Sequence, residues 1–164
     1  MYKRQILRQD PNVILIGEIR DSETAQIAVR ASITGHLVLS TIHTNNSLAT
    51  IERLLDMDVE RYLLSTALEG IISQKLARRI CPICRTIRPT TPYERKVFKD
   101  ALGLNVNEMW VPNKCEHCIN GFLGRIAIQE VLLINEDIRD IISRDDTDKE
   151  VLREFVYGKN HTIT

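Results

Sequence analysis

Four consecutive apolar residues, Val13-Ile14-Leu15-Ile16, lie between the turn-forming Asp10-Pro11-Asn12 and Gly17, and charge follows at once in Glu18, Arg20 and Asp21. A short apolar run bounded by turn formers suits a buried strand of a parallel sheet, covered on both faces. The residues that follow fit that setting. Asp21 or Ser22 can cap a helix whose apolar side reads Ala25, Ala28 and Ala31 with Ile27, small residues that permit close packing on a sheet. Gly35 supplies a left-handed turn, and His36 to Thr41 reads as the next buried strand. Ligands of such sheets collect at the strands' carboxyl ends. Glu18 from the first strand and Thr41, His43 and Asn45 from the second are thus expected at one rim.

Further along, Asn46 or Ser47 opens a helix carrying Leu48, Ile51, Leu54 and Leu55, which ends near Met57-Asp58. A longer core helix is expected from about Glu60, because Leu64, Leu68, Ile72 and Leu76 recur at spacing four. Upstream, Tyr2 to Gln9 reads as the end of a helix stopped by Asp10-Pro11. Between Cys81 and Cys118 the composition shifts to prolines and few large aliphatics, which marks an insertion with a weak core of its own. Its clear element is a helix opened by the capping box Thr91-Pro92-Tyr93-Glu94 and closed by Gly103. Gly121-Phe122-Leu123-Gly124-Arg125 reads as a glycine turn, and Ile126 to Ile134 as a strand. Arg125 is expected to pair with acidic residues around Glu130 or Glu136. Asn135 caps a short helix with Ile138, Ile141 and Ile142, and Thr147-Asp148-Lys149-Glu150 opens a last one that stops at Gly158.

All four cysteines fall in two C-x-x-C pairs, Cys81-Pro-Ile-Cys84 and Cys115-Glu-His-Cys118, separated by residues 85–114. In a reducing compartment this usage favours a metal over disulfides, and a tetrathiolate fits tetrahedral zinc. Nothing resembling a thioredoxin unit surrounds either pair to support a redox role. His117, inside the second pair, is a competing ligand.

Charge and hydropathy narrow the function classes. Lys+Arg and Asp+Glu both total 22, which argues against a strongly electrostatic binder of nucleic acid or anionic membrane. No apolar run approaches the roughly 20 residues of a membrane helix, and Met1-Tyr-Lys-Arg lacks the apolar centre of a signal peptide. A cytoplasmic protein is the expectation.

The apolar strand with Glu18, preceded by Ile6-Leu-Arg-Gln-Asp-Pro11 and followed by Gly35-His-Leu-Val-Leu-Ser-Thr-Ile-His43-Thr-Asn45, closely resembles the ATPases that drive type II secretion and type IV pilus assembly. The resemblance runs nearly end to end. It implies an α/β fold: part of a RecA-type P-loop ATPase core in residues 1–80, a zinc-binding insertion in 81–120, and a return strand with C-terminal helices in 121–164. It also implies that Glu18 is the general base of a Walker B element and that His43, in the histidine box, contacts the γ-phosphate or its sensor network. Gly17, Arg20 and Thr41 follow as nucleotide-site residues, while His36 in the same box is read as structural. ATP, Mg²⁺ and zinc on Cys81, Cys84, Cys115 and Cys118 complete the set, with a hexameric ring acting on an inner-membrane platform as the expected assembly. Such a motor is peripheral to the inner membrane.

Three departures stand out. The family usually has glycine at Asp58 and often before the third cysteine, where this chain has Lys114. More consequentially, such enzymes hold the phosphates in an upstream G-x-x-x-x-G-K-[ST] loop, and none is present among the seven glycines. The expectation is a fragment, inactive alone. Two rivals remain: a stand-alone zinc-ribbon module that recognises nucleic acid, and a truncated, non-catalytic subunit.

Overall fold

The computed structural model describes residues 9, 11–144, 149–158 and 162–163. The helix read over Tyr2 to Gln9 and the capping box at Thr147 fall largely outside them. Thirteen elements follow in order: β1 Val13–Ile16, α1 Ser22–Ile33, β2 Leu37–Ser40, α2 Ser47–Asp56, α3 Arg61–Ala67, β3 Gly70–Ile80, β4 Thr86–Pro89, α4 Pro92–Leu102, β5 Glu108–Val111, β6 Phe122–Leu133, α5 Glu136–Ser143, α6 Lys149–Gly158 and β7 Thr162–Ile163. The fold is mixed α/β. Its strands form a parallel pair β1-β2, a sheet ordered β3-β6-β7, and an antiparallel pair β4-β5.

The chain divides into two units, residues 1–74 with 129–164, and residues 75–128. In the first, β1 and β2 pair in parallel from Val13↔Leu37 to Ile16↔Ser40, with α1 as the crossover. Local chemistry sets each helix end. The Asp21 carboxylate accepts from the Thr24 backbone N–H at 2.7 Å and caps α1; the Asn46 side chain does the same for α2 through Ala49, and Asn135 for α5 through Ile138. Gly35 has φ +97° after α1, and Asp58 has φ +57° after α2. Ala25 and Ala31 of α1, Ile51 of α2, Leu64 of α3, Leu132 of β6, Ile138 and Ile142 of α5 and Val156 of α6 are almost completely buried, and they belong to one apolar cluster apart from Ala31. Each fully buried aliphatic side chain of Leu or Ile size contributes about 1.5–3 kcal/mol.

The long core helix expected beyond Glu60 is not formed. α3 ends at Ala67, and the chain turns extended at Leu68 and runs as β3 from Gly70. Arg139 of α5 explains the stop, since its guanidinium donates to the terminal carbonyls of Ser65 at 2.6 Å and Thr66 at 3.0 Å and pairs with Glu69 at 2.9 Å. Satisfied terminal carbonyls remove the drive to continue the helix. Gly70 and the β-branched Ile71-Ile72 then favour the strand beside β6. Ile72 and Leu76, expected in a core, are exposed.

Three further expectations are corrected. β1 is not covered on both faces, because Val13 and Leu15 are 54% and 76% exposed and Leu37 and Leu39 of β2 are also open. The two strands are bare on that side. β6 begins at Phe122 rather than Ile126, running straight through Gly124. Glu130 does not pair with Arg125; it accepts instead from Ser47 and Tyr157, and Arg125 has no ion pair among the described residues.

In the second unit, α4 carries both halves of the Thr91/Glu94 capping box, proline in its first turn, and Gly103 at φ +67° as its left-handed cap. No residue of α4 is buried. The unit is tied by polar links: Arg88 grips Glu94 through two hydrogen bonds of 2.8 and 2.6 Å, and Arg85 lies over the Trp110 ring at 4.1 Å. No described helix is long and apolar enough to cross a membrane.

Candidate active site and cysteine cluster

Parallel register carries both strands out of the sheet at the same edge, and two bonds fix them there. The Ile19 backbone N–H donates to the Thr41 carbonyl at 2.9 Å, and the Thr41 hydroxyl donates to the Gly17 carbonyl at 2.6 Å. Glu18 and His43 therefore meet. The Glu18 carboxylate lies 3.7 Å from His43 Nε2 and accepts from Arg20 Nε at 2.5 Å, with its side chain 34% exposed. His43 is open to solvent. The arrangement places a carboxylate that can take a proton beside two groups that can donate to an anion. A side chain at Gly17 would meet no atom within 4 Å, so free space lies next to this backbone.

The remaining expectations at this rim divide cleanly. Asp21 is the helix cap that the sequence suggested, engaged by the Thr24 N–H and hydroxyl. His36 is structural, its Nδ1 within 3.0 Å of the Ala31 carbonyl and 3.1 Å of the Thr34 hydroxyl at the end of α1. Arg20, expected as a nucleotide-site residue, is directly on Glu18. The signal was its spacing: alternate residues of an extended segment share a side.

The four cysteines converge. Their sulfurs lie within 4.8 Å of one another, with 3.9 Å between Cys81 and Cys115, 3.7 Å between Cys84 and Cys118, and 3.5 Å between Cys115 and Cys118. For comparison, a tetrahedron with metal–sulfur bonds of about 2.3 Å has edges of about 3.8 Å. All four thiols are free of disulfides. His117 is outside the group and sits beside Glu116, 3.4 Å away.

Backbone geometry closes the cluster. The Cys81 N–H donates to the Gly121 carbonyl at 2.9 Å, and Gly121 itself has φ +85° with no room for a Cβ, which would fall 2.5 Å from the Asn113 carbonyl oxygen. Burial, followed by the neighbouring thiols, pushes Cys84 up to about 12. At Cys118 burial also opposes the charged form, yet the Cys115 N–H and the thiols of Cys115 and Cys84 bring it down to about 7. A cation bound by such a set takes it as thiolates and releases protons on binding.

Residues 2–163 match the model of the family described as type II/IV secretion system protein. The chain belongs to that family. It is 49% identical over 161 residues to type II secretion system protein E of Pectobacterium carotovorum subsp. carotovorum, covering 98% of this chain and 32% of that protein. To the type II secretion system ATPase E of Vibrio cholerae it is 45% identical over 141 residues, 85% of this chain and 28% of that protein. Among solved structures, the pilus retraction motor PilT with bound ADP is similar at a TM-score of 0.60 and 30% identity, over 99% of this chain and 40% of that one. The chain thus spans about a third of the length of the curated relatives it matches.

Proposed function

We propose that these residues are the base-bearing half of a secretion or pilus-assembly ATPase, a RecA-type core in which Glu18 acts on water attacking the γ-phosphate of ATP. One observation carries the reading: in a member of this family, Glu18 and His43 come from different strands and meet at the carboxyl edge of a parallel pair. Glu18 orients the water and takes its proton. His43 and Arg20 donate toward the oxygens on which negative charge grows, and the backbone at Gly17 and Thr41 lines the approach. Mg²⁺, when bound with the nucleotide, neutralises phosphate charge. The phosphates themselves require a Gly-rich loop, which is absent from these 164 residues.

Zinc on Cys81, Cys84, Cys115 and Cys118 has a structural role in this reading, because four thiolates leave no open position for substrate. The working protein is a cytoplasmic hexamer, peripheral to the inner membrane and acting on a platform there. Balanced charge weighs against the nucleic-acid module.

The test uses a protein of the relatives' length that contains this chain. Glu18→Gln lowers ATP turnover by about 10²–10⁴-fold while leaving nucleotide affinity near that of the parent, and His43→Ala lowers it less. The 164-residue chain alone shows no phosphate release and only weak ATP binding by calorimetry. Full turnover by the Glu18 variant removes this residue from the chemistry.

A further inference from the structure

Glu130 is the one acidic residue of β6, and it lies on the same strand face as the fully buried Leu132, where an apolar side chain would be expected. Its Oε1 accepts from the Ser47 hydroxyl, from the Ser47 backbone N–H at 3.4 Å and from the Tyr157 phenol at 3.1 Å. Ser47 is itself completely buried. It is the first residue of α2, and the segment joining it to the rim is only Thr44-Asn45-Asn46. The other side-chain bonds of that segment, Thr44 with Thr50 at 2.7 Å and with the Asn46 carbonyl at 3.4 Å, Ala49 to Asn46 at 2.8 Å and Thr50 to the Asn46 carbonyl at 3.3 Å, stay within it or go to α2 itself. They fix the segment on its own helix, which Leu48, Ile51 and Leu54 seat in the apolar cluster. The bond from Glu130 comes from a different strand, 83 residues away in sequence.

We infer that Glu130 is a positioning residue: through Ser47 it anchors the start of α2 to β6, and so sets where His43 stands relative to Glu18. This rests on the ATPase reading for its consequence, not for its geometry. The His43 side chain is solvent-exposed with Glu18 as its neighbour at 3.7 Å, while Ile42 before it packs against the core, so its placement follows the chain on either side. A displacement of about 1 Å at such a site costs as much as a hundredfold in rate. Tyr157 shares the same oxygen, which brings α6 into the same anchor.

Two measurements separate the anchor from the chemistry. In the 164-residue chain, the His43 imidazole resonances, identified by their loss in His43→Gln, shift in Glu130→Ala and in Ser47→Ala while those of His36 stay in place. Glu130→Gln, whose amide oxygen still accepts, leaves them near the parent positions. His43 resonances that ignore both alanine variants overturn the inference. In the full-length ATPase, Glu130→Ala and Ser47→Ala each lower kcat by about tenfold with KM for ATP within twofold, and the double variant is no worse than either single one, as for members of one interaction. Glu130→Gln recovers most of the rate. Additive losses, or a Gln variant as slow as the Ala variant, overturn it as well. Undiminished hydrolysis by Glu18→Gln sinks the ATPase reading instead and leaves the anchor, read at His43, intact.

Discussion

The two units of this chain hold themselves together by different means. Residues 1–74 with 129–164 enclose a continuous apolar cluster in which Ile51, Leu64, Leu132, Ile138, Ile142 and Val156 lose nearly all contact with water. Residues 75–128 have no equivalent. There the buried residues are Cys81, Thr90 and Gly121, while Tyr93, Leu102, Leu104 and Ile119 stand open. A stretch of this size with so little buried apolar surface cannot offset its chain entropy by packing and needs a staple. The difference teaches that the cysteine cluster stands where the second unit would otherwise need an apolar core.

The largest expected effect breaks that comparison at its centre. Chelation of the zinc proposed on the four cysteines, or Cys81→Ser, unfolds residues 75–128 and leaves the other unit folded, because structural zinc supplies about 10–16 kcal/mol in small domains. Amide NMR spectra taken with elemental analysis follow both events. A second unit that keeps its dispersed spectrum without metal ends the argument. Conversely, Ile138→Ala destabilises the first unit by about 2–5 kcal/mol through the cavity it leaves, with zinc content unchanged. Denaturant titration of the two units' signals reads the split.

Smaller effects sharpen the picture within the second unit. Gly121→Ala places a methyl group 2.5 Å from the Asn113 oxygen and forces φ +85° on a residue with a Cβ. It costs about 1–3 kcal/mol of strain and weakens metal retention, measurable by competition with a chromophoric chelator. The smallest concerns acid. The Arg88 guanidinium and then the Thr91 N–H hold the Glu94 carboxyl down to about 2, below its ordinary 4.5. A depressed carboxyl contributes stability that is present above the unfolded value and is lost as pH falls through the folded one. The second unit therefore loses this contribution between about pH 4.5 and 2, and Glu94→Gln flattens that part of its acid titration. An unchanged profile in the variant would remove the pair from the unit's stability.

What could be read from the residues follows the same division between local and distant causes. The caps at Asp21, Asn46, Thr91 and Asn135, the left-handed Asp58, and the meeting of Glu18 with His43 all depend on a few neighbouring residues and a strand period, so sequence suffices. The helix expected through Leu76 failed for a non-local reason. Its spacing of four satisfies helical periodicity, but Arg139, more than 70 residues later, terminates α3, and β6 offers the following residues a strand partner. The pairing of Glu130 with Arg125 fails for a similar reason. The partners of Glu130 are Ser47 and Tyr157, neither of which is near it in the chain.

That contrast in sequence distance has a consequence for the order in which the rim is built. The bond from Thr41 to Gly17 closes a loop of 24 residues, whereas the bond from Ser47 to Glu130 closes one of 83. By loop-closure entropy the second costs about 1 kcal/mol more than the first. During synthesis the rim can bring Glu18 and His43 together as soon as β2 has emerged, but its fastening waits for a strand made much later. Until residue 130 is in place, the histidine has an address and no lock.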